Sequence, residues 1–111
     1  VTADHTAQPY VGAPQIPKID NIHQRIFEEA SAPRALEMGD WHTCGTTHCR
    51  AGWAVHLAGD QGYALERFHG PLLAGQLIYR ESGYAISPVR FYDSNADAIA
   101  DMQRLAEGRQ P

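Results

Sequence analysis

The stretch WHTCGTTHCRAGW, residues 41–53, contains both cysteines of the chain, both tryptophans and two of its six histidines. It starts as a loop, and Thr47 is typical of an N-cap for a helix that continues through Ala58 and stops at Gly59. The buried face of this predicted helix is unusually small: Ala51, Gly52, Ala54 and Ala58. Because small residues let neighbouring helices approach closely, the sequence predicts a central helix that begins inside this motif.

Apolar side chains recur at helical spacing on both sides of the central helix, and capping residues mark the ends of the other helices. The predicted helices cover residues 20–31, 62–68, 71–83 and 94–108, and residues 34–38 and 88–92 predict short helical turns. Asp20 and Ser94 are the predicted N-caps of the first and last helices. No segment alternates apolar and polar residues over the length of a strand. The predicted fold is therefore all-α, a small single-domain bundle of about four main helices plus short turns.

The first part of the chain differs from the rest. Residues 1–19 contain Pro9, Pro14 and Pro17 and lack a helical period, which predicts an extended or flexible N-terminal arm. Residues 20–111 are then predicted to form one helical domain, as expected for a chain of 111 residues.

Composition and charge exclude several functional classes. The net charge is −4 and the arginines are spread out, so no basic stripe is present and no nucleic-acid partner is expected. No apolar run approaches the roughly 20 residues of a membrane span, so no membrane partner is expected. Two cysteines are too few for a secreted disulfide scaffold, which favours a cytoplasmic protein. The expected partner is a small molecule or another protein, and no cofactor or resident metal is expected.

The motif has the residues of a thiol nucleophile. Cys49 is placed in the first turn of the predicted helix, where backbone N–H groups and the helix dipole stabilise a thiolate. His42 or His48 could act as its base, and Cys44 could support or resolve the thiol. This interpretation predicts a thiol-dependent enzyme, either a hydrolase or transferase or a redox protein, with Cys49 at its centre.

A binding pocket is predicted beside the nucleophile. Trp53 follows Cys49 by one helical turn and His56 follows it by two, so all three could lie on one face. Trp41 and Arg50, at the two ends of the loop, are the other predicted pocket residues.

Two further chemical interpretations remain open. Four intervening residues allow Cys44 and Cys49 to form a disulfide, with Cys49 as the attacking thiol. Sulfur and imidazole ligands also suit zinc, with His23 or His69 completing a set drawn from His42, Cys44, His48 and Cys49. However, these four candidate ligands come from one short segment, and no second half-site of cysteine and histidine follows.

The remaining interpretation is structural. Buried cysteines are common core residues, Trp41 and Trp53 could wedge the loop against the helix, and Gly52 could allow a close helix crossing. The protein would then be a non-catalytic interaction or accessory module.

The motif also resembles one shared by small bacterial and phage proteins, in which a Trp precedes Cys-Gly-Thr-x-x-Cys-x-Ala-Gly and an apolar helix. The matching residues here are Trp41, Cys44, Gly45, Thr46, Cys49, Ala51 and Gly52. Residues 90–107, RFYDSNADAIADMQRLAE, are similar to the tail of the closer members, and the likeness covers residues 16–107. The resemblance implies a small helical protein, often linked to phages, for which a host or phage protein is an expected partner. It implies no particular activity.

Overall fold

The computed structural model describes residues 12–108, except for the side chains of Thr43 and Cys44. Within this range five α-helices, one 3-10 helix and a short β-hairpin follow one another along the chain. In order they are α1 (Ile22–Ala30), β1 (His42–Cys44), β2 (Thr47–His48), α2 (Arg50–Leu57), α3 (Gly59–His69), α4 (Pro71–Glu81), the 3-10 helix (Pro88–Tyr92) and α5 (Asn95–Ala106). The prediction of a small all-α bundle is confirmed.

The predicted central helix is α2, which packs against α1, α3 and α4. Ala51 and Ala54 are completely buried. Gly75 of α4 lies directly against Ala51, because a methyl group at Gly75 would come within 2.7 Å of the Ala51 Cβ. A methyl group at Gly62 of α3 would come within 2.2 Å of the Val55 carbonyl oxygen. Small residues on α2 and on its partners therefore set these close helix separations.

The start of the central helix differs from the prediction. Thr47 is not its N-cap, because Thr47 lies in β2 and its hydroxyl donates to the Arg34 carbonyl at 2.7 Å. The N-cap is Cys49, which has extended backbone and whose sulfur accepts the Gly52 N–H. A β-hairpin therefore occupies the residues that were expected to be a loop and the first helical turn.

The predicted helical turn at residues 34–38 is also wrong. Leu36 instead makes a parallel bridge with His48 of β2. The Glu37 N–H donates to the His48 carbonyl, and the His48 N–H donates to the Ala35 carbonyl, both at 3.0 Å. Backbone pairing with the hairpin thus overrides the helix propensity of these residues.

The ends of the later helices agree better with the sequence. Gly59 ends α2 with a φ of 72° but also begins α3, so the predicted helix at 62–68 is longer than expected. Pro71 occupies the first turn of α4, as predicted. The Ser94 hydroxyl caps α5 by accepting the Asp97 N–H at 3.2 Å, which confirms Ser94 as an N-cap.

The start of α1 was predicted one residue too early. Its N-cap is Asn21, not Asp20, and Asn21 adopts a left-handed backbone with a φ of 56°. Asn21 makes no side-chain capping bond; its carbonyl accepts the Arg25 N–H at 2.9 Å. Asparagine tolerates the left-handed region better than most residues, which explains why the cap falls there.

Part of the predicted N-terminal arm contacts the bundle. Ile19 is buried in the core, and its N–H donates to the Ser82 hydroxyl at 2.9 Å. The extended or flexible arm was also predicted for residues 1–11, which lie outside the described range.

The core is formed by side chains from all five described helices, with Ile26, Val55, Leu65, Ile78 and Met102 among the most buried. None of the helices in residues 12–108 is long and apolar enough to cross a bilayer.

Candidate functional site

Cys49 is a free thiol that caps α2 from within the core. Only 1% of the residue is exposed. Its sulfur accepts the Gly52 N–H at 3.2 Å, and its own N–H donates to the Trp41 carbonyl at 3.2 Å. The thiol therefore satisfies a backbone donor of the first helical turn, as serine and threonine do at other N-caps.

The ionisation of Cys49 follows from this burial. Burial raises the pKa of the Cys49 thiol to about 11, although the N–H groups of Gly52 and Ala51 act in the opposite direction. The helix N-terminus was expected to lower this pKa, and its backbone donors do so, but loss of solvation is the larger effect. The net direction is therefore opposite to the one expected. The side chain of Cys44 lies outside the described part of the structure, so its role as a supporting or resolving thiol stays a prediction.

The two tryptophans fix the hairpin against α2. The Trp41 carbonyl lies above Gly52, where a methyl group would come within 2.0 Å of the oxygen. The Trp53 indole N–H donates to the Ala35 carbonyl at 2.7 Å, and only 5% of Trp53 is exposed. These contacts make a closely packed corner of the fold where Trp41 and Ala35 meet the first turn of α2.

Arg50 was predicted to line a pocket, but it is completely buried. Its Nη1 donates to the Asp101 carboxylate at 2.7 Å, and its Nε donates to the Tyr79 hydroxyl at 3.0 Å. Asp101 also pairs with Arg104, and Arg90 Nη2 lies 3.9 Å from it. Because a buried guanidinium needs a carboxylate nearby, Arg50 ties α2 to α5 and to α4. It is absent from the linings of the cavities described for residues 12–108.

Three histidines meet beside this corner, where the hairpin contacts α2 and α3. His42 and His48 face each other with their Nδ1 atoms 2.7 Å apart. His42 Nε2 lies 2.6 Å from the Glu66 carboxylate, and His48 Nε2 lies 3.2 Å from the Gly45 carbonyl. His56 stacks on His48 with ring centroids 4.5 Å apart. We call His42, His48, His56, Tyr63 and Glu66 the histidine cluster.

The hydrogen-bond partners determine which ring nitrogens of His42 and His48 carry a hydrogen. The Gly45 carbonyl can only accept, so His48 must carry its hydrogen on Nε2 and, when neutral, accepts at Nδ1. His42 must then carry a hydrogen on Nδ1. One further proton lies between His42 Nε2 and Glu66, on either the ring or the carboxyl group. With these bonds made, every ring nitrogen of His42 and His48 is already engaged inside the protein.

A second contact within the histidine cluster, between His56 and Tyr63, joins α2 to α3. His56 Nδ1 and the Tyr63 hydroxyl are 2.8 Å apart. Burial raises the pKa of Tyr63, and the nearby Glu66 carboxylate raises it further, so the phenol keeps its proton. Tyr63 and Glu66 are three residues apart and therefore share one face of α3.

The protein should lose stability when the pH falls from 7.5 to 5.5. Burial is the largest effect on His48 and lowers its pKa, and the Gly45 carbonyl raises this pKa less strongly. Among the smaller effects, His56 and His42 lower it and Glu66 raises it. Burial and Arg50 lower the pKa of His23. At pH values between the ordinary histidine pKa near 6.5 and these lowered pKa values, the unfolded chain binds protons that the folded chain does not. Acidification therefore favours the unfolded state. Urea unfolding at the two pH values measures the effect.

The expected result is a lower urea midpoint at pH 5.5 than at pH 7.5. His23→Gln removes one of the two groups, so this variant should show a smaller change with pH than the wild-type protein. A midpoint that rises on acidification would contradict the assignment.

A cavity of about 360 Å³ adjoins the cluster. Trp53 and His56 line it, as predicted, together with Gly45, Thr46 and Glu29. The other predicted pocket and catalytic residues are not in its lining: Trp41, His42, His48, Cys49 and Arg50. The structure therefore separates the buried thiol from this cavity.

Sequence reasoning did not identify three residues that complete these contacts. Tyr63 and Glu66 belong to α3 and carry no local signal that they face His42 and His56. Asp101 did carry a signal, because it lies three residues after Ala98 and four before Leu105, on the apolar face of α5. A carboxylate on such a face indicates a buried ion pair.

No three histidine, cysteine, aspartate or glutamate side chains are grouped to hold a metal ion, within the part of the chain that the structure describes. His23 and His69, the residues considered as additional zinc ligands, are not members of the histidine cluster; His23 contacts the rings of Tyr79 and Tyr84.

Comparisons of the chain with protein-family models, curated proteins and solved structures find no match. The function of the motif is therefore inferred from its own contacts.

Proposed function

We propose that this protein is a small cytoplasmic binding module of the bacterial or phage accessory type, whose Cys/His/Trp motif maintains the fold and performs no chemistry. The observation that carries this proposal is the state of Cys49. The residue is 1% exposed, its sulfur accepts a backbone N–H, and burial raises its pKa to about 11. A thiol in this state is neither ionised at neutral pH nor open to a substrate.

The histidines support the same proposal. A general base needs a free ring nitrogen within reach of the proton that it removes. Both nitrogens of His42 and both of His48 already have protein partners at 2.6–3.2 Å. Either ring would have to break one of these bonds to act on a substrate. Within residues 12–108, neither ring forms a hydrogen bond with the Cys49 sulfur. The pKa of this thiol is also raised by Glu66, which disfavours the thiolate.

The other motif residues are also engaged structurally. Trp53 donates to the Ala35 carbonyl, and Arg50 is neutralised by Asp101. Gly52 provides the space in which the Trp41 carbonyl lies. These contacts join the hairpin, the 34–38 segment and α5 to the central helix. The motif thus has a structural reason for each of these residue types, and an enzymatic role is not needed to account for them.

Alkylation of Cys49 tests the proposal. Cys44→Ala leaves Cys49 as the sole thiol of the chain. Because the buried thiol is reached only when the structure opens, we expect iodoacetamide to modify the native protein at least about a thousandfold more slowly than the urea-unfolded protein. The rate should rise with urea as the unfolded fraction rises.

The matched control is Ala100→Cys in a variant that lacks both native cysteines. Residue 100 is exposed on α5, so this thiol should react in the native protein at nearly the unfolded rate. If native Cys49 reacted within tenfold of this control, the thiol would be accessible and the structural proposal would be wrong.

A further inference from the structure

A groove of about 470 Å³ lies between α1, α5 and residues 31–36. Its apolar lining includes Phe27, Ala30, Leu36 and Ile99. This volume falls within the roughly 300–1,000 Å³ that small-ligand sites occupy, and such sites are mainly apolar with a few polar groups. None of the residues that line the groove belongs to the histidine cluster. The groove is therefore separate from this cluster.

Arg34 is the one ionisable side chain in the described lining of this groove. It is exposed at the rim, and neither an ion pair nor a side-chain hydrogen bond to a carboxylate is found for it in residues 12–108. The protein as a whole has a net charge of −4, so any attraction for an anion must arise locally. A guanidinium presents a planar set of donors that matches a carboxylate.

The backbone of Arg34 is held in an uncommon conformation. Its φ is 60°, in the left-handed region that favours glycine. The Thr47 hydroxyl binds the Arg34 carbonyl at 2.7 Å, and the next N–H, that of Ala35, donates to the Ala32 carbonyl at 3.0 Å. Glycine would form the same turn with less strain. Strain that the surroundings hold in place points to a role for the side chain beyond folding.

The amide of Asn95 lines the same groove but is already engaged. Its Oδ1 accepts the Met38 N–H at 2.7 Å, and its Nδ2 donates to the Leu36 carbonyl at 3.3 Å. These bonds fix the wall between α5 and the 36–38 segment. Arg34 is thus the lining residue with charge available for a ligand.

We propose that this groove binds a small amphiphilic anion, with an apolar chain or ring between α1 and α5 and a carboxylate at Arg34. The proposal rests on the proposed binding function and names the class of ligand. It requires an apolar contact and an anionic contact at once, so a ligand with only one of them should bind more weakly.

Three probes with the same chain and different charge test this: octanoate, octanol and octylammonium. Amide chemical shifts in two-dimensional NMR spectra report where and how tightly each probe binds to the full chain. We expect octanoate to shift the amides of Phe27, Leu36 and Ile99 in a saturable way. Octanol should bind about fivefold more weakly, because an exposed arginine–carboxylate pair contributes modestly, and octylammonium should bind more weakly still.

Two variants locate the charge. Arg34→Gln should reduce octanoate affinity about fivefold and leave octanol binding unchanged. Arg80→Gln makes the same change in net charge at an exposed site on α4 and should alter neither. Arg34→Gly should lose octanoate affinity to the same extent while its melting temperature stays equal to or above that of the wild-type protein, since glycine relieves the backbone strain.

The proposal would be overturned by equal binding of octanoate and octanol, by unchanged octanoate binding to Arg34→Gln, or by shifts confined to residues outside the groove. It would also be overturned if none of the three probes bound. None of these results affects the alkylation of Cys49, so failure of the ligand proposal is distinguishable from failure of the structural role of the motif.

Discussion

Replacing Asp101 with asparagine is expected to lower the free energy of unfolding by about 3–5 kcal/mol, the usual effect of removing one partner from a buried ion pair. Asp101 is 6% exposed and accepts from Arg50, which is completely buried. Arg50 Nη2 already lacks a hydrogen-bond partner among the described residues. Without the carboxylate, the guanidinium charge would remain in the core with only neutral partners, the Tyr79 hydroxyl and the asparagine amide.

Urea unfolding at pH 7.5 measures the loss, and Asp97→Asn on the exposed side of the same helix is the control. The reciprocal variant Arg50→Met should cost less than Asp101→Asn, because Asp101 keeps Arg104 and the more distant Arg90 as partners. A loss for Asp101→Asn no larger than that for Asp97→Asn would show that the buried network is not formed as described.

Gly52→Ala is expected to destabilise the protein by about 1–3 kcal/mol or more, the range seen when atoms are inserted into a packed core. The added methyl group would come within 2.0 Å of the Trp41 carbonyl oxygen and 3.1 Å of the His48 Cβ. The first contact is with backbone, so no side-chain rotation can relieve it. The hairpin would have to move away from α2, which would weaken the bond from the Cys49 N–H to the same carbonyl.

The matched control is Gly45→Ala, in the turn of the same hairpin. A methyl group at Gly45 meets no atom within 4 Å, and the change should stay within about 0.5 kcal/mol, as for other surface substitutions. Urea midpoints of the two variants give the comparison. If they were equally stable, the close contact between the hairpin and α2 would be contradicted.

The helices could be predicted where their signals are local. Pro71 and Ser94 fix the starts of α4 and α5 through their own geometry and hydrogen bonding. The hairpin could not be predicted in this way, because each strand is only two or three residues long. Its stability comes from pairing with Ala35 and Glu37 and from the Trp41 carbonyl over Gly52. These are tertiary contacts that the local pattern of residues 34–48 does not contain.

The candidate site could be predicted only where its residues are close together in the sequence. His42 and His48 are close in sequence and meet across the hairpin, and His56 follows two turns along α2. Glu66 is 24 residues from His42, and only the fold brings them together. The ionisation of Cys49 depended on the balance of two effects, the backbone donors of the helix start and the loss of solvation. The sequence indicates the first, whereas the second requires knowledge of how deeply the residue is buried.

These contacts also connect the motif with the proposed binding groove. The Thr47 hydroxyl of the hairpin donates to the Arg34 carbonyl, and the backbone of the hairpin pairs with Ala35 and Glu37. The groove wall at Leu36 therefore depends on the same corner that Cys49 and Gly52 stabilise. In this account the motif positions a binding surface and does not itself contact the ligand.

The most direct test of the central claim, that Cys49 is a buried helix cap, is the pH titration of its thiol in the Cys44→Ala variant. The ultraviolet absorbance of the thiolate, or the Cys49 Cβ chemical shift, reports the ionisation. We predict no thiolate in the folded protein through about pH 9.5, in keeping with a pKa of about 11. A thiolate that forms in the folded protein at or below about pH 8.5, the ordinary value for cysteine, would contradict the account.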